Sequence, residues 1–312
     1  MFKDLLRILP AHIHGLIETL SKPELNLLEE IRIRVHRPLE LLIAGKPVYP
    51  KKNNNHYEVT LEDAQIVLNQ LSEYSLYAFE EELRRGYITI QGGHRVGITG
   101  KVVLEKGAVQ TMRSISSFNI RIARQKKGAA KHLISDVYDQ RMGWQNTLLV
   151  GPPQTGKTTL LRDLSRHISE GVKERRIASR KVGIVDERSE IAACVNGIPQ
   201  HDLGYRADVL DRCPKAEGMM MMIRSMSPDV LIVDEIGRQE DVEAILEAMH
   251  AGVVLMATAH GDSYESLMKR PTFSALFQAQ AFTRIIELGR DPHPGTVKRV
   301  RLPKQVKERI KQ

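Results

Sequence analysis

The chain has 312 residues, with 46 Lys and Arg against 38 Asp and Glu, a formal net charge of +8. That length suffices for two domains with cores of their own, and the cationic excess suits an acidic partner such as nucleic acid, an anionic membrane surface or a nucleotide. The two cysteines, Cys194 and Cys213, have neither CxxC nor Cys/His metal spacing, which argues against a disulfide framework and points to free thiols in a reducing compartment, with one bridge between them formally open.

The N-terminal apolar residues are interrupted by Lys3, Asp4 and Arg7, and no later run approaches the roughly 18 apolar residues of a membrane span. The expectation is a cytoplasmic protein, soluble or at most peripheral to a membrane. In "EEIRIRVHRPLELLIAG", Ile31, Ile33 and Val35 alternate with Arg32, Arg34 and His36, and Pro38 interrupts the run. That is the period of a half-exposed strand followed by a second one. "TLEDAQIVLNQLSEYSLYAFEEELRRG" opens with a capping-box pattern at Thr60 and Asp63, spaces Val67, Leu68 and Leu71 helically, and stops at Gly86. "YITIQGGHRVGITGKVVLEKGAVQTM" reads as strands joined by Gly-containing turns. The polar stretch "RQKKGAAKHLISDVYDQRMGW" marks a boundary. It divides an α+β N-terminal domain, 1–125, from a linker, 126–143, and a second domain, 144–312.

The second half alternates short apolar runs with helical patterns, as a parallel sheet covered by helices does. Its strands are "TLLV", "VGIVDE", "VLIVDE", "VVLMATAH" and "TRIIELG". In "EDVEAILEAMHAG", Val242, Ile245, Leu246 and Met249 share one helical face before Gly252. The four consecutive Met of "GMMMMIRSMSPD" cannot share a face and read as packing. The last fifteen residues carry seven Lys or Arg against one Glu, a tail that either meets lipid headgroups or frays into solvent.

"GPPQTGKTTLLRDLSR" supplies the chemistry. Gly151, Gly156, Lys157 and Thr158 match G-x-x-x-x-G-K-[ST] between a strand and a helix carrying Leu160, Leu161, Leu164 and Ile168. The loop of Gly151, Pro152, Pro153, Gln154, Thr155, Gly156, Lys157, Thr158 and Thr159 is therefore expected to cradle phosphate. Backbone N–H groups converge on phosphate oxygens, Lys157 neutralises charge and the Thr158 hydroxyl ligates Mg²⁺. "DVLIVDE" adds, at the end of a neighbouring strand, Asp234 for Mg²⁺ and Glu235 for polarising the attacking water. Asp186, Glu187, Arg188 and Glu190 end another strand and either position water, relay the nucleotide state or form an exposed salt-bridged loop. His260 stands where a γ-phosphate could be sensed, and Arg224, just upstream of the acidic strand, either contacts phosphate, holds Glu235 or is simply solvated.

These residues resemble a known family. "GPPQTGKTTLLRDL", "VGIVDERSEIA", "PQHDLG", "DVLDRCPKAEGMMMMIRSMSPDVLIVDEIG" and "LMATAHG", with "EEELRRGYITIQGGHRVGITGK" and "SSFNIRIAR" in the first half, look like the stage III sporulation AA family of ATPases, related to the type II/IV secretion ATPases. The resemblance spans residues 60–300 or so. It implies an α/β RecA-type P-loop NTPase domain preceded by a smaller α+β domain, ATP and Mg²⁺ as ligands, and a homo-oligomer, a hexamer in the secretion enzymes. It further implies a role in energising the channel between mother cell and forespore, from the mother-cell side, with the channel's membrane proteins as partners. Arg224, Asp229 and Glu235 match the family's acidic-strand motif, "VDERSEI" with Glu187 and Glu190 its Asp box, and "ATAHG" with His260 its histidine box. A neighbour's arginine is expected to complete the site, and Arg113, Arg121 and Arg124 are candidates within this sequence. Two departures matter: Asp234 stands where many secretion ATPases have Gly, and Gln154 where the sporulation family usually has one. The second leaves the loop's shape open, since only Gly takes φ > 0 freely.

Two other classes compete. A nucleic-acid motor or loader would use the +8 charge, but fifteen aromatics without a basic-aromatic platform disfavour it. A nucleotide-binding scaffold would not need a water-activating carboxylate.

Overall fold

The computed structural model describes residues 5–72, 83–84, 86–105 and 107–302. It divides into two compact units, residues 1–124 and 125–312. In the first, helices α1 (Ala11–Glu18), α2 (Lys22–Leu27) and α3 (Leu61–Ser72) accompany strands β1 (Leu28–Arg34), β2 (Glu40–Ile43), β3 (Lys46–Val48), the short pair β4 (Lys51–Lys52) and β5 (Asn55–His56), then β6 (Tyr87–Ile90), β7 (His94–Glu105) and β8 (Ala108–Arg121). Six strands form one antiparallel sheet in the order β3-β2-β1-β8-β7-β6. The alternation read from sequence sets its register: Ile31 lies between Leu41 and Ile120, and all three are fully buried. One face of each strand thus feeds the core while Arg32 and Arg34 take the other. Thr60 and Asp63 cap α3 reciprocally, Asp63 N–H donating to Thr60 Oγ1 at 3.1 Å and Thr60 N–H to Asp63 Oδ2 at 2.9 Å. The helical reading of residues 73–82 falls outside the described residues.

The expected linker 126–143 is corrected by the second unit's core. Ala130, Leu133, Ile134 and Val137 are fully buried there, on a 3-10 turn and a short helix α4 (Ile134–Val137) that leads to the strand pair β9 (Tyr138–Asp139) and β10 (Gly143–Trp144). These four apolar residues stand at i, i+3, i+4 and i+7, a helical face that the surrounding Lys, Arg and Asp obscured. Within the unit, residues 128 and 130 are pinned by Asp163, whose carboxylate accepts their N–H groups at 3.0 and 2.8 Å.

Beyond it come β11 (Thr147–Gly151), α5 (Lys157–Glu170), β12 (Val182–Asp186), β13 (Ala207–Asp211), α6 (Lys215–Met226), β14 (Val230–Val233), α7 (Gln239–His250), β15 (Val254–His260), α8 (Tyr264–Met268), α9 (Pro271–Gln278), β16 (Arg284–Gly289) and β17 (Thr296–Arg301). The sheet order is β13-β12-β14-β15-β11-β16-β17, parallel except for β17. Strands β11, β12 and β14 are buried at every position, as central strands covered on both faces must be. Leu160, Leu161, Leu164 and Ile168 bury one side of α5, each side chain contributing about 1.5–3 kcal/mol. Two sequence expectations change here. The acidic strand β14 is not adjacent to β11, because β15 lies between them. The basic tail is not frayed as far as residue 301, since Thr296–Arg301 pairs with β16; residues 303–312 lie outside the described residues.

Candidate nucleotide site

All the parallel strands end on one edge of the sheet, and the loop after β11 opens there. Gly151 has no room for a side chain, because a Cβ would lie 2.6 Å from Thr155 Oγ1. Gly156 caps α5 at φ +82°, where a Cβ is strained and would meet the Gly295 nitrogen at 3.2 Å. Gln154 adopts φ +62°, so the loop takes a left-handed turn there at the steric cost of an L side chain. Thr155 is buried and closes the loop on itself, Oγ1 donating to the Pro152 carbonyl at 2.9 Å. Its own carbonyl accepts the Gly295 N–H at 2.8 Å, and Arg290 donates to the Pro153 carbonyl, so the turn between β16 and β17 braces the loop. With no side chain at the N-cap, the first-turn N–H groups of α5, including Thr159, face the position a phosphate would take.

Lys157 is 7% exposed and donates to the carbonyls of Gly151 at 2.7 Å and Pro152 at 2.9 Å. Burial pulls its ammonium below the ordinary lysine range, while Asp234 and Glu235 act in the opposite sense. Thr158 Oγ1 donates to Asp234 Oδ2 at 2.7 Å. The missing adjacency of β14 is bridged by the helix, which reaches across β15. A hydroxyl and a carboxylate side by side form the oxygen-only, low-denticity donor pair that Mg²⁺ accepts beside phosphates, so the residues present fit that ion.

Glu235 leaves β14 at φ +51°, a conformation that needs to be over-determined. Thr258, fully buried on β15, does this: Oγ1 accepts the Glu235 N–H at 2.8 Å and donates to Asp234 Oδ1, while its carbonyl accepts the Ile236 N–H at 2.9 Å. The Glu235 carboxylate then lies 2.5 Å from Arg188 Nη1 and 2.9 Å from His260 Nε2. His260 ends β15 in register with Gly151, which places the histidine and the loop after β11 on neighbouring strand ends.

The segment after β12 forms the adjoining wall, and Asp186, Glu187, Arg188, Glu190, Lys215, Asp234 and Glu235 line one cleft. Asp186 is not at the surface. It is 2% exposed, its carboxyl pushed up to about 6 by burial, with Asp211 and Asp234 adding to the effect and backbone N–H bonds opposing it. Glu187 is tied to Lys215 Nζ, with Arg238 Nη1 at 3.9 Å. Glu190 lines the cleft, and its backbone bonds Asp186 and Arg162.

Arg224 is not brought to this cluster. Helix α6 begins at the site with Lys215 and carries Arg224 in its last turn, exposed, roughly 14 Å along the axis at about 1.5 Å per residue. Asp229 is likewise remote: its Oδ2 accepts the Lys181 N–H at 2.8 Å at the opposite edge of the sheet. In the first unit, Arg113 and Arg121 are exposed, and Arg124 donates to the Leu25 and Leu28 carbonyls at 3.1 and 2.7 Å. Sequence reasoning missed Thr258, Lys215, Arg162 and Arg290. Thr258 left a trace as the polar residue inside the run "VVLMATAH", and Arg162 as a cation one turn beyond Thr158. Both cysteines are free thiols. Among the described residues no group of three or more His, Cys, Asp or Glu is placed to hold a metal, and no helix is long and apolar enough to cross a membrane.

The family model for "Sporulation stage III, protein AA" matches residues 2–306. The chain is 54% identical over 297 residues to the stage III sporulation protein AA of Bacillus subtilis (strain 168), covering 95% of this chain and 94% of that one. It is 27% identical over 276 residues to the uncharacterized protein ycf45 of Porphyra purpurea, which covers 88% of this chain and 43% of that one. Among solved structures it is similar to the ATPase DotB of Legionella pneumophila, with a TM-score of 0.56, 18% identity and 90% and 76% of the two chains covered. The pilus retraction motor PilT with bound ADP gives a TM-score of 0.56 at 18% identity over 85% and 76%. The chain therefore shares the RecA-like α/β fold of these two proteins.

Proposed function

Because the chain belongs to the Sporulation stage III, protein AA family, we propose that it is an ATP-hydrolysing motor subunit, Mg²⁺-dependent and assembled in a ring, hexameric as in the secretion ATPases. Its output energises the channel between mother cell and forespore, where it works from the mother-cell side, peripheral to the forespore membrane and in contact with the channel's membrane proteins. The observation that carries this reading is the position of Glu235, flanked by Arg188 at 2.5 Å and His260 at 2.9 Å and next in sequence to the Asp234 that Thr158 bonds.

Each residue has a role in the proposed turnover. The N–H groups of the phosphate loop and the Lys157 ammonium take the phosphate oxygens, Lys157 exchanging its bonds to Gly151 and Pro152 for stronger, charge-assisted ones. Thr158 and Asp234 hold Mg²⁺, which when bound neutralises phosphate charge. Glu235 accepts the proton of the attacking water, and Arg188 and His260 set the orientation of its carboxylate. Glu187 and Glu190 extend the acidic wall. Arg224, exposed and remote from the cleft of its own chain, serves a contact with a neighbouring subunit. The test is ATP turnover and sedimentation of the full chain with and without Mg²⁺. Metal-dependent phosphate release by an assembled species is expected, and a strictly monomeric protein that is inactive with and without Mg²⁺ refutes the reading.

A further inference from the structure

The helix that follows the phosphate loop carries a buried cation that the chemistry above leaves unused. Arg162 lies four residues after Thr158, about 6 Å along α5, and is 8% exposed. Its Nη2 donates to the Glu190 carbonyl at 2.5 Å and its Nε to the Ile191 carbonyl at 2.6 Å. Asp186 grips the same segment from the other side: Oδ1 accepts the Glu190 N–H at 2.8 Å, and Oδ2 those of Ile191 at 2.9 Å and Ala192 at 2.8 Å. Two consecutive peptide groups, joining Glu190 to Ile191 and Ile191 to Ala192, therefore each present the carbonyl to the guanidinium and the N–H to the carboxylate. In a trans amide these two groups point in opposite directions, so the segment is clamped between a cation and an anion that polarise it cooperatively.

The clamp has one jaw on each side of the chemistry. Asp186 ends β12 and is fixed to the sheet, while Arg162 belongs to the helix whose first turn carries Lys157 and Thr158. The clamped segment begins two residues after Arg188, which reaches Glu235, and three after Glu187, which reaches Lys215. Burying a guanidinium is unfavourable unless its donors are satisfied, and here Nε and Nη2 reach the backbone of the wall after β12. A displacement of α5 therefore moves that wall.

We propose that Arg162 is a positioning residue that couples occupancy of the phosphate loop to the placement of Arg188 beside Glu235. The inference rests on the hydrolytic reading above. Its test uses the full-length protein with Arg162→Met, Arg162→Lys, Arg188→Ala and the Arg162→Met/Arg188→Ala double variant. Affinity is read with a fluorescent ATP analogue, turnover by phosphate release, and amide exchange at residues 190–192 with and without Mg²⁺-ATP. Arg162→Met is expected to keep affinity within about threefold and lose at least about tenfold in turnover, with Arg162→Lys in between. The double variant is expected to be no slower than Arg188→Ala alone, and nucleotide-dependent protection of 190–192 to vanish with Arg162.

Wild-type turnover by Arg162→Met, or a double variant slowed by the product of both effects, overturns the proposal. So does a parallel loss of affinity and melting temperature in both Arg162 variants, which marks a merely structural role. A wild type that never hydrolyses ATP refutes the hydrolytic reading instead. In that case nucleotide-dependent protection of 190–192 that survives Arg162→Met refutes the coupling by itself.

Discussion

Replacing Thr258 by Val removes a hydroxyl from the centre of the site at nearly constant volume. Thr258 is fully buried, donates to Asp234 Oδ1 and accepts the Glu235 N–H at 2.8 Å. Val keeps the β-branched shape that β15 packs, so no cavity opens and only the polar term changes. A hydrogen bond to a charged group contributes about 1.5–3 kcal/mol and a neutral one about 0.5–1.5 kcal/mol. Part of the loss is recovered, because Asp234 still receives Thr158 at 2.7 Å and the Glu235 N–H at 3.0 Å. A net destabilisation of about 2 kcal/mol follows, and for a unit of this size that is roughly 4–8 °C in melting temperature. The functional effect should be larger than the stability effect, since Glu235 is held at φ +51° by the N–H bond that the substitution deletes. Turnover is expected to fall at least about tenfold, the consequence of roughly 1.4 kcal/mol in the barrier, while ATP affinity stays near wild type because Lys157 and Thr158 are untouched. Calorimetric melting, a fluorescent-nucleotide titration and phosphate release measure the three quantities on one sample. Unchanged turnover with a lowered melting temperature would refute the argument that Thr258 holds the Glu235 carboxylate in a working position.

Lys157→Ala should abolish ATP binding with little loss of stability, because the ammonium sits in a cleft that already disfavours its charge; retained affinity by calorimetric titration contradicts the loop assignment. Glu235→Gln should bind ATP and lower kcat by roughly 10² or more, with the ATP-bound variant sedimenting as the assembled ring; a wild-type rate moves the water-activating role to Glu187 or Glu190. Arg224→Ala should leave the ATP affinity of a dilute subunit unchanged, and a large loss there would show that this arginine reaches its own chain's nucleotide. Asp186 carries the pH dependence. Its folded carboxyl is pushed up to about 6 from the 3.8 of an ordinary aspartate, so the folded state holds the extra proton and its stability falls as pH rises through that window, by up to about 3 kcal/mol. Asp186→Asn should flatten that slope in urea unfolding at pH 4 to 7, and parallel curves for the two proteins would refute it.

The second unit was legible where chemistry leaves a local signature. A strand, a Gly-rich turn and a helix within twenty residues marked the loop 151–159, and the apolar strand "VLIVDE" marked Asp234 and Glu235. Apolar runs of four to eight residues also identified β11, β12, β14, β15 and β16, since strands covered on both faces are nearly continuously apolar. Strands β13 and β17 escaped because they lie toward the sheet's edges and carry polar residues, Asp208 and Asp211 in one and Lys298, Arg299 and Arg301 in the other. The linker was misread for a related reason: charge on an exposed face hid Leu133, Ile134 and Val137, which only a packed neighbour could reveal as core.

By itself the sequence determined the residue types of the site, the period of its elements and the existence of two units, all properties that reside within some twenty neighbouring positions. Only the tertiary structure decided which of those residues meet. It placed β15 between β11 and β14, and so made Thr258 the link between Asp234 and Glu235. It turned Asp186 inward onto backbone N–H groups while leaving Glu187 in the cleft, and it carried Arg224 to the far end of α6. Strand order and helix direction bring together residues many tens of positions apart, and the chain settles them by burying its apolar faces collectively, an energy that no single motif contains.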